Sequence, residues 1–265
     1  MEPKIKLEHV SKEFNARRSN IRALDDINLE IFPSEFVSLV GPSGCGKSTI
    51  IRMVDDIIKP TSGTIIVDGK AYDNSIPISK QDIMKLGFIF QIPNLYPWLT
   101  IKENLYLPLK VYGEYDEPHM KYADELLDMI HLSDYADAYP KEISGGMAQR
   151  IGVIRGMVHK PEMLMMDEPF GALDDDTREE LDLEIREIRK NTGITIIFIT
   201  HNINEAVLIS DRVVVLKSHP GQIKDEVKID LPYDRTLDMQ ERHEFLSYAK
   251  KIQDLIGTVD IKDIV

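Results

Sequence analysis

The chain has little cysteine and no long apolar run, and each scarcity excludes a class of protein. Cys45 is the only cysteine among the 265 residues, so no intramolecular disulfide can form and a reducing cytosol is the expected setting. The best candidate for an apolar span, residues 194–199, is only as long as a strand, whereas a bilayer needs roughly 18 to 20 residues. Residues 1–10 lack the apolar core of a secretory signal, so we expect no export.

Positive charge is also scarce. The chain carries 32 Lys and Arg against 45 Asp and Glu, a formal net charge of -13. A groove for nucleic acid needs clustered cations, so we expect no nucleic-acid partner. Hydrophobic residues make up 43% of the chain, which suffices for one large domain or for one domain with an inserted subdomain.

A glycine-rich loop stands out among the features that are present. Residues 41–49 read GPSGCGKST, the pattern GxxxxGK[ST], between an apolar run at 36–40 and a helix-like run at 50–54. Such glycines let successive N–H groups face phosphate oxygens, and the N-terminus of the following helix adds positive dipole. We expect Lys47 to reach the β- and γ-phosphates and the Ser48 hydroxyl to ligate magnesium. The predicted phosphate site comprises Gly41, Pro42, Ser43, Gly44, Cys45, Gly46, Lys47, Ser48 and Thr49. A flexible turn without a ligand is the alternative, and it leaves the Lys47-Ser48 pair unexplained.

The order of strand-like and helix-like segments predicts an α/β fold. Strand patterns occur at residues 4–10, 27–31, 36–40, 64–67, 87–90, 163–166, 194–200 and 212–216, with a hairpin signal at Asp68-Gly69. Helical patterns occur within 101–158 and at 177–190 and 237–256. We therefore predict a P-loop core with a mixed to parallel sheet, an N-terminal antiparallel β subdomain and an inserted helical subdomain at about 92–160. The predicted domain covers 1–236, and 237–265 is predicted to be a short C-terminal helical extension.

Two adjacent carboxylates follow an apolar strand pattern. Residues 163–168 read MLMMDE, and the carboxyl end of a buried parallel strand is where ligands collect. With a phosphate loop upstream, we expect Asp167 to help hold magnesium. Glu168 lies one residue further on, where a carboxylate can accept a proton from an attacking water. The alternative for both residues is a solvated strand end.

A second glycine pair stands at a predicted helix start. Residues 143–150 read ISGGMAQR, in which Ser-Gly-Gly would leave a hydroxyl and free N–H groups at the helix N-terminus. Those groups predict a second anion site. Taken alone, the pattern favours the alternative, an ordinary helix cap.

Together, the motifs resemble those of the ATP-binding subunits of ABC transporters over nearly the whole chain, to about residue 223. The matching motifs, in order, are GPSGCGKST, Gln91, ISGGMAQR, MLMMDEP, GALD at 171–174 and Thr200-His201. The resemblance implies hydrolysis of ATP with Mg²⁺ between two cassettes that enclose two ATP molecules. It implies that the signature motif, Ser144, Gly145, Gly146 and Gln149, contacts the γ-phosphate held by the opposite subunit.

The resemblance also implies individual roles. Gln91 matches a glutamine that ligates magnesium or its water and lies beside the permease contact, and His201 matches a histidine that contacts the γ-phosphate and helps position water and Glu168. Asp174 matches an acid that communicates across the dimer, although an acid at a helix start is the alternative. Phe14 matches an aromatic that stacks on adenine, with a core phenylalanine as the alternative. Before the third strand, Ser34 stands where the family usually has glycine.

Within the family, segments such as YPWLT at 96–100 and HPGQI at 219–223 resemble the importers of nitrate, sulfonates and taurine. This implies a subunit on the cytoplasmic face of the cell membrane. Its implied partners are permease subunits, a second ATP-binding subunit in a homodimer and, indirectly, a solute-binding protein. One alternative is a soluble ABC-type ATPase that acts as an interaction factor without a permease. Another is a P-loop kinase or a GTPase, but no Asn-Lys-x-Asp guanine reader is present and neither class explains ISGGMAQR.

Overall fold

Strands and helices alternate along the chain in the computed structural model, which describes residues 2–15, 20–73, 75–76, 78–171 and 173–257, without the side chain of Lys80. The strands are β1 (Ile5–Asn15), β2 (Asn20–Ile31), β3 (Phe36–Val40), β4 (Ser62–Val67), β5 (Lys70–Tyr72), β6 (Leu86–Ile89), β7 (Met163–Asp167), β8 (Thr195–Ile199), β9 (Arg212–Lys217) and β10 (Gln222–Lys228). The helices are α1 (Lys47–Val54), α2 (Lys80–Ile83), α3 (Ile101–Tyr112), α4 (Glu117–Met129), α5 (Gly145–Arg155), α6 (Asp175–Thr192), α7 (Ile203–Ile209) and α8 (His243–Ile256). Short 3-10 turns occur at Ser133–Tyr135, Pro140–Glu142 and Leu237–Glu241.

The chain divides into two compact units, Met1–Ser79 with Asp182–Val265, and Lys80–Leu181. The predicted helical insertion at about 92–160 falls within the second unit. Two parts of the predicted motifs, Ala172 of the GALD segment and residues 258–265 of the C-terminal extension, lie outside the described residues.

The first unit contains an antiparallel sheet in the order β2-β1-β4-β5. Ile5 pairs with Ile31 in the register of β1 and β2, and the side chains of Ile5, Leu7 and Val10 are buried while that of Lys6 is only partly buried. Strands β4 and β5 form the hairpin predicted at Asp68-Gly69. Both β1 and β2 extend beyond the predicted strands, because their far ends form a largely exposed ribbon that carries no alternating apolar pattern. The predicted N-terminal antiparallel subdomain is confirmed.

The first unit also contains the strands that lead to the glycine-rich loop. Strand β3 pairs in parallel with β8 on one side and β9 on the other, and β10 runs antiparallel to β9. Every residue of β3 and β8 is buried, as expected where both faces of a sheet are covered. The predicted mixed to parallel sheet is confirmed. Strand β10 was not predicted, because it is an outer strand whose only fully buried residue is Val227.

The second unit holds helices α3, α4 and α5, with β6 and β7 paired in parallel. Each helix begins at a polar cap: Thr100 and Glu103 form a capping box, Asp116 accepts from His119 N, and Ser144 accepts from Met147 N. These caps divide the helical pattern predicted from residue 101 onward into separate helices. The methionines of β7 are buried and pack in the core, as predicted.

The helix predicted at residues 237–256 is wrong at its beginning. Leu237–Glu241 is a 3-10 turn, Arg242 is extended at φ -76° and ψ 144°, and α8 starts only at His243. Both Met239 and Phe245 are buried. Six residues of continuous helix would place these two side chains about 120° apart around the helix axis, so the break at Arg242 lets both point inward. Among the described residues, no helix combines the length and the apolar character needed to span a bilayer.

Asp55 follows helix α1 and provides a test of the packing around it. Burial raises the pKa of the Asp55 carboxyl from 3.8 to about 7, with a smaller contribution from the charge of Asp56. The folded state therefore binds the proton more tightly than the unfolded chain, and stability falls as the pH rises from about 4 to about 7. We predict that Asp55→Asn raises the free energy of unfolding by about 1–3 kcal/mol at pH 8 and changes it little at pH 4. Urea denaturation at both pH values measures the effect.

The exposed carboxylate of Asp225, in the same unit, supplies the control. Asp225→Asn should leave the difference in stability between pH 4 and pH 8 as it is in the original protein. An Asp55→Asn protein that gains the same stability at both pH values would contradict the assignment of a buried, protonated carboxyl.

Candidate functional site

The glycine-rich loop joins the buried strand β3 to helix α1. Gly46 stands at the N-cap of α1 with φ 95°, and a Cβ there would lie 2.4 Å from Leu24 Cδ2. Gly44 has φ 79° with no heavy atom within 4 Å of the same position, so its requirement for glycine is conformational and not steric. The loop therefore has its shape because glycine occupies these two positions.

Lys47, the first residue of α1, turns its ammonium into the loop. Its Nζ donates to the carbonyl oxygens of Gly41 at 2.9 Å and Pro42 at 3.2 Å, and the residue is 6% exposed. The N-terminus of α1 adds its dipole at the same place. A cation and a helix N-terminus on a glycine-shaped loop form an arrangement suited to phosphate. The next residue along α1, Ser48, carries the hydroxyl predicted to ligate magnesium.

Cys45 lies inside the loop and is fully buried. Burial raises the pKa of the Cys45 thiol, although the nearby Lys47 charge works in the opposite direction. A buried thiol of raised pKa is unreactive, so Cys45 fills space in the loop.

The first unit places two further predicted residues. His201 is exposed directly after β8, between Thr200, whose Oγ1 accepts from Asn202 N at 2.9 Å, and Asn202 itself. The Asn202 side chain caps α7 by accepting from the N–H groups at the start of that helix.

Phe14 is 41% exposed on β1, with Lys12 Nζ 5.1 Å from its ring centroid. The core position considered for Phe14 is therefore wrong, because the residue is exposed.

In the second unit, Gln91 and Glu168 are in contact, although the sequence implied different roles for them. Asp167 ends β7 and is buried, and Glu168 follows in the left-handed region at φ 47°. Gln91 Nε2 donates to Glu168 Oε2 at 3.3 Å. The two side chains are 77 residues apart in the chain, and no local pattern in the sequence could have revealed this contact.

Helix α5 begins as the sequence predicts. Ser144 Oγ accepts from Met147 N at 3.2 Å, and both Ser144 and Gly145 are exposed, so this helix N-terminus faces solvent. No heavy atom lies within 4 Å of a Cβ built on Gly145. Gln149 lies elsewhere: it is 2% exposed, and its Nε2 has no hydrogen-bond partner within the described ranges. The structure therefore does not bring Gln149 to the surface that Ser144 and Gly145 form.

Asp174 precedes helix α6 and has the geometry of a helix cap. Its carboxylate accepts from Thr177 N at 3.0 Å and from Thr177 Oγ1 at 2.9 Å. These hydrogen bonds, that from the backbone N–H above all, lower the pKa of Asp174. The alternative considered from the sequence, an acid at a helix start, thus describes its local contacts.

The fold and the loop define a nucleotide-binding protein of the P-loop α/β class. Residues 24–171 match the family described as ABC transporter. The match covers more than half of the chain, and the chain belongs to that family. The predicted class is confirmed.

Relatives and solved structures extend over most of the chain. It is 40% identical to an uncharacterized ABC transporter ATP-binding protein of Methanocaldococcus jannaschii, covering 100% of this chain and 95% of the relative. It is 37% identical to an aliphatic sulfonates import ATP-binding protein of Bacillus cereus, covering 94% of each chain. A nitrate import ATP-binding protein of Synechocystis is also 37% identical, covering 95% of this chain and 94% of the relative. Among solved structures, a dimeric ATP-binding cassette in a post-hydrolysis state bound to ADP and Pi is 33% identical with a TM-score of 0.75, covering 86% of this chain and 100% of that one.

The position of Lys47 gives a direct test of the loop. Lys47 is the only cationic side chain in residues 41–49, so Lys47→Ala removes the charge that the loop holds. We predict at least a tenfold loss of ATP affinity, about 1.4 kcal/mol or more, together with loss of hydrolysis. Calorimetric titration of nucleotide and a phosphate-release assay measure the two effects.

Lys251, an exposed lysine of α8, serves as the matched control. Lys251→Ala should bind and hydrolyse ATP as the original protein does. Unchanged ATPase activity in the Lys47→Ala protein would exclude this loop as the phosphate site.

Proposed function

We propose that this chain is the ATP-hydrolysing motor subunit of an ABC importer for a small solute, with ATP and Mg²⁺ as its cofactors. The observation that carries the proposal is the Lys47 ammonium, held within a glycine-shaped loop at the start of α1. Family membership and the import function named in two of the relatives support it. The alternative of a soluble interaction factor has no observation in its favour.

In this proposal the loop binds the phosphates and oxygen donors bind the metal. Lys47 and the loop N–H groups hold the β- and γ-phosphates. Ser48, Gln91 and Asp167 supply hydroxyl, amide and carboxylate oxygens, the ligand type that Mg²⁺ prefers. Within the described residues, no group of three or more His, Cys, Asp or Glu side chains forms a metal cage.

Glu168 is the proposed proton acceptor for the attacking water. The Gln91 amide donates to one carboxylate oxygen and so fixes the orientation of the group. His201, framed by Thr200 and Asn202, is proposed to contact the γ-phosphate and to help position that water.

The exposed start of α5 is the proposed contact to a second copy of the chain. Ser144, Gly145 and Gly146 present a hydroxyl and helix N–H groups, which suit the γ-phosphate bound by the partner. The solved relative with bound ADP and Pi is itself dimeric. We infer a homodimer that closes around two ATP molecules, with Asp174 near the dimer contact and Phe14 stacked on adenine.

The segment before α3 is the proposed permease contact, on the cytoplasmic face of the membrane. Trp98 is 69% exposed and its ring lies 5.4 Å from that of Tyr96. Ile92 is similarly exposed, and this apolar surface suits a protein partner. The permease would in turn receive solute from a binding protein, so this chain needs no solute pocket of its own.

Glu168 and Asp167 are adjacent, but their proposed roles predict different effects when each is substituted. Glu168→Gln keeps the shape but cannot accept a proton, so ATP should bind with magnesium while hydrolysis falls by a factor of about 10² to 10⁴. The closed dimer should then persist. Asp167→Asn removes a negative charge from the metal shell and should weaken magnesium-dependent binding before closure. Size-exclusion chromatography with ATP and magnesium should show a dimer for the first variant and a monomer for the second.

Two results would count against these roles. A Glu168→Gln protein that stays monomeric at saturating ATP would contradict the two-cassette mechanism. A Glu168→Gln protein that hydrolyses ATP at the original rate would remove Glu168 as the proton acceptor.

The importer role predicts that a partner determines where the chain is found. The isolated chain should remain in the soluble fraction and should sediment with membranes only when its permease is co-expressed. Trp98→Ala should reduce this co-sedimentation, whereas Ile21→Ala, at another exposed apolar residue in the other unit, should not. Membrane binding without any permease would point instead to an anchor within the chain.

A further inference from the structure

The C-terminal end of helix α7 is held by two buried arginines. This helix has seven residues, and the carbonyls of Val207, Leu208, Ile209 and Ser210 at its end have no further turn of helix to bond. Arg235 Nη1 donates to three of them, Val207 O at 2.7 Å, Leu208 O at 3.2 Å and Ser210 O at 2.8 Å. Arg186 Nη1 donates to the fourth, Ile209 O, at 2.8 Å. All four carbonyls are thus satisfied from outside the helix.

Arg235 is anchored in its turn by the chain around it. Its Nε donates to Pro232 O at 3.2 Å and its Nη2 to Ile229 O at 3.4 Å. Arg186 Nε and Nη2 both donate to Tyr233 O, at 3.0 Å and 2.6 Å. The segment between β10 and α8 is therefore tied to α7 through these two guanidinium groups.

The Arg235 guanidinium contacts the carbonyl oxygens at the end of α7, and Asp211 adds a weaker attraction for its charge. Arg235 is 6% exposed, and within the described part of the chain no carboxylate lies within ion-pair distance of it. Burial, with a smaller effect from Arg186, lowers the pKa of Arg235 to about 10, so the group stays charged at neutral pH. A cation at a helix C-terminus interacts favourably with the helix dipole. Removing the side chain would leave three buried carbonyls without these donors.

The other end of α7 carries the residues that frame His201. Asn202 caps the helix and is bonded to Thr200 at the end of β8. Seven residues span only about 10 Å and cannot form a stable helix alone, so contacts at the two ends determine where α7 lies. A third contact joins Ser210 Oγ to Ser38 Oγ of β3 at 2.5 Å.

We propose that Arg235 is a positioning residue for His201, acting through the C-terminal carbonyls of α7. By fixing the far end of this short helix, Arg235 sets the place of the imidazole at the near end. The inference rests on the proposed role of His201 in ATP hydrolysis, and it gives the segment after β10 a part in catalysis.

Single-turnover hydrolysis, with enzyme in excess over ATP, is the first measurement. Arg235→Met keeps the length of the side chain but removes its donors. We expect the rate to fall at least tenfold while the dissociation constant for ATP changes less than twofold. Arg235→Lys keeps the charge and should recover part of the rate. The control is Arg242→Met, because Arg242 belongs to the same segment, is exposed and, among the described residues, bonds through its side chain to Asp238 alone. This variant should hydrolyse ATP at the original rate.

A double-mutant cycle with His201→Ala tests whether the effect passes through the histidine. In the His201→Ala background, Arg235→Met should cause no further loss of rate. The same fold-loss in both backgrounds would overturn the proposal, as would an unchanged rate in Arg235→Met alone. If the methionine variant does not fold, Arg235→Lys carries the same cycle with a smaller expected loss.

Histidine NMR separates this proposal from the role of His201 itself. The imidazole signal of His201, assigned by its disappearance in His201→Ala, should shift or broaden in Arg235→Met, while the signals of His119 and His159 in the other unit stay in place. An unmoved His201 signal would overturn the positioning role. A normal hydrolysis rate in His201→Ala would instead overturn the proposed function of the histidine, and with it the catalytic meaning of Arg235.

Discussion

The hydrogen bonds from the Lys47 ammonium to the carbonyls of Gly41 and Pro42 are the central interaction of the first unit. Strand β3, the glycines of the loop and helix α1 together hold these groups in place. Strand β3 is buried on both faces and ends one residue before the loop, so the loop starts from a fixed point. Gly46 then brings the chain against Leu24, closer than any side chain would allow. The ammonium is held at the N-terminus of α1 because the strand, the glycine contacts and the helix all constrain the same few residues.

The sequence predicts those parts of the fold whose signal is local. Strands β3, β8 and β9 were found because burial on both faces demands continuous apolar runs. The ribbon formed by β1 and β2, and the outer strand β10, were missed or shortened because exposed strands carry no such run. At residues 237–241 the helical pattern misled, since it could not show that Met239 and Phe245 are both buried only if the helix is broken.

In the site as well, local features could be predicted from the sequence, whereas contacts between residues far apart in the chain could not. The loop and the start of α5 could be predicted from a few adjacent residues. In each, glycine or serine favours the local backbone conformation directly. The bond from Gln91 to Glu168 and those from Arg235 to α7 join segments far apart, and side chain to backbone bonds leave no periodic trace. Ser34 lies between these cases. Ser34 adopts φ 58°, a conformation that favours glycine, and this explains why the family usually has glycine at this position. The hydrogen bonds of Ser34 to Thr195 and Gly193 compensate for the strain.

The side-chain amide of Asn104 holds residues 96–100, which precede α3, to that helix. Asn104 is fully buried in α3; its Oδ1 accepts from Tyr96 N, and its Nδ2 donates to the carbonyls of Tyr96, Leu99 and Thr100. Four hydrogen bonds from one side chain make the turn that carries Trp98 a stiff extension of the helix. The position of the turn that carries Trp98 is therefore tied to the position of α3 through a single buried side chain.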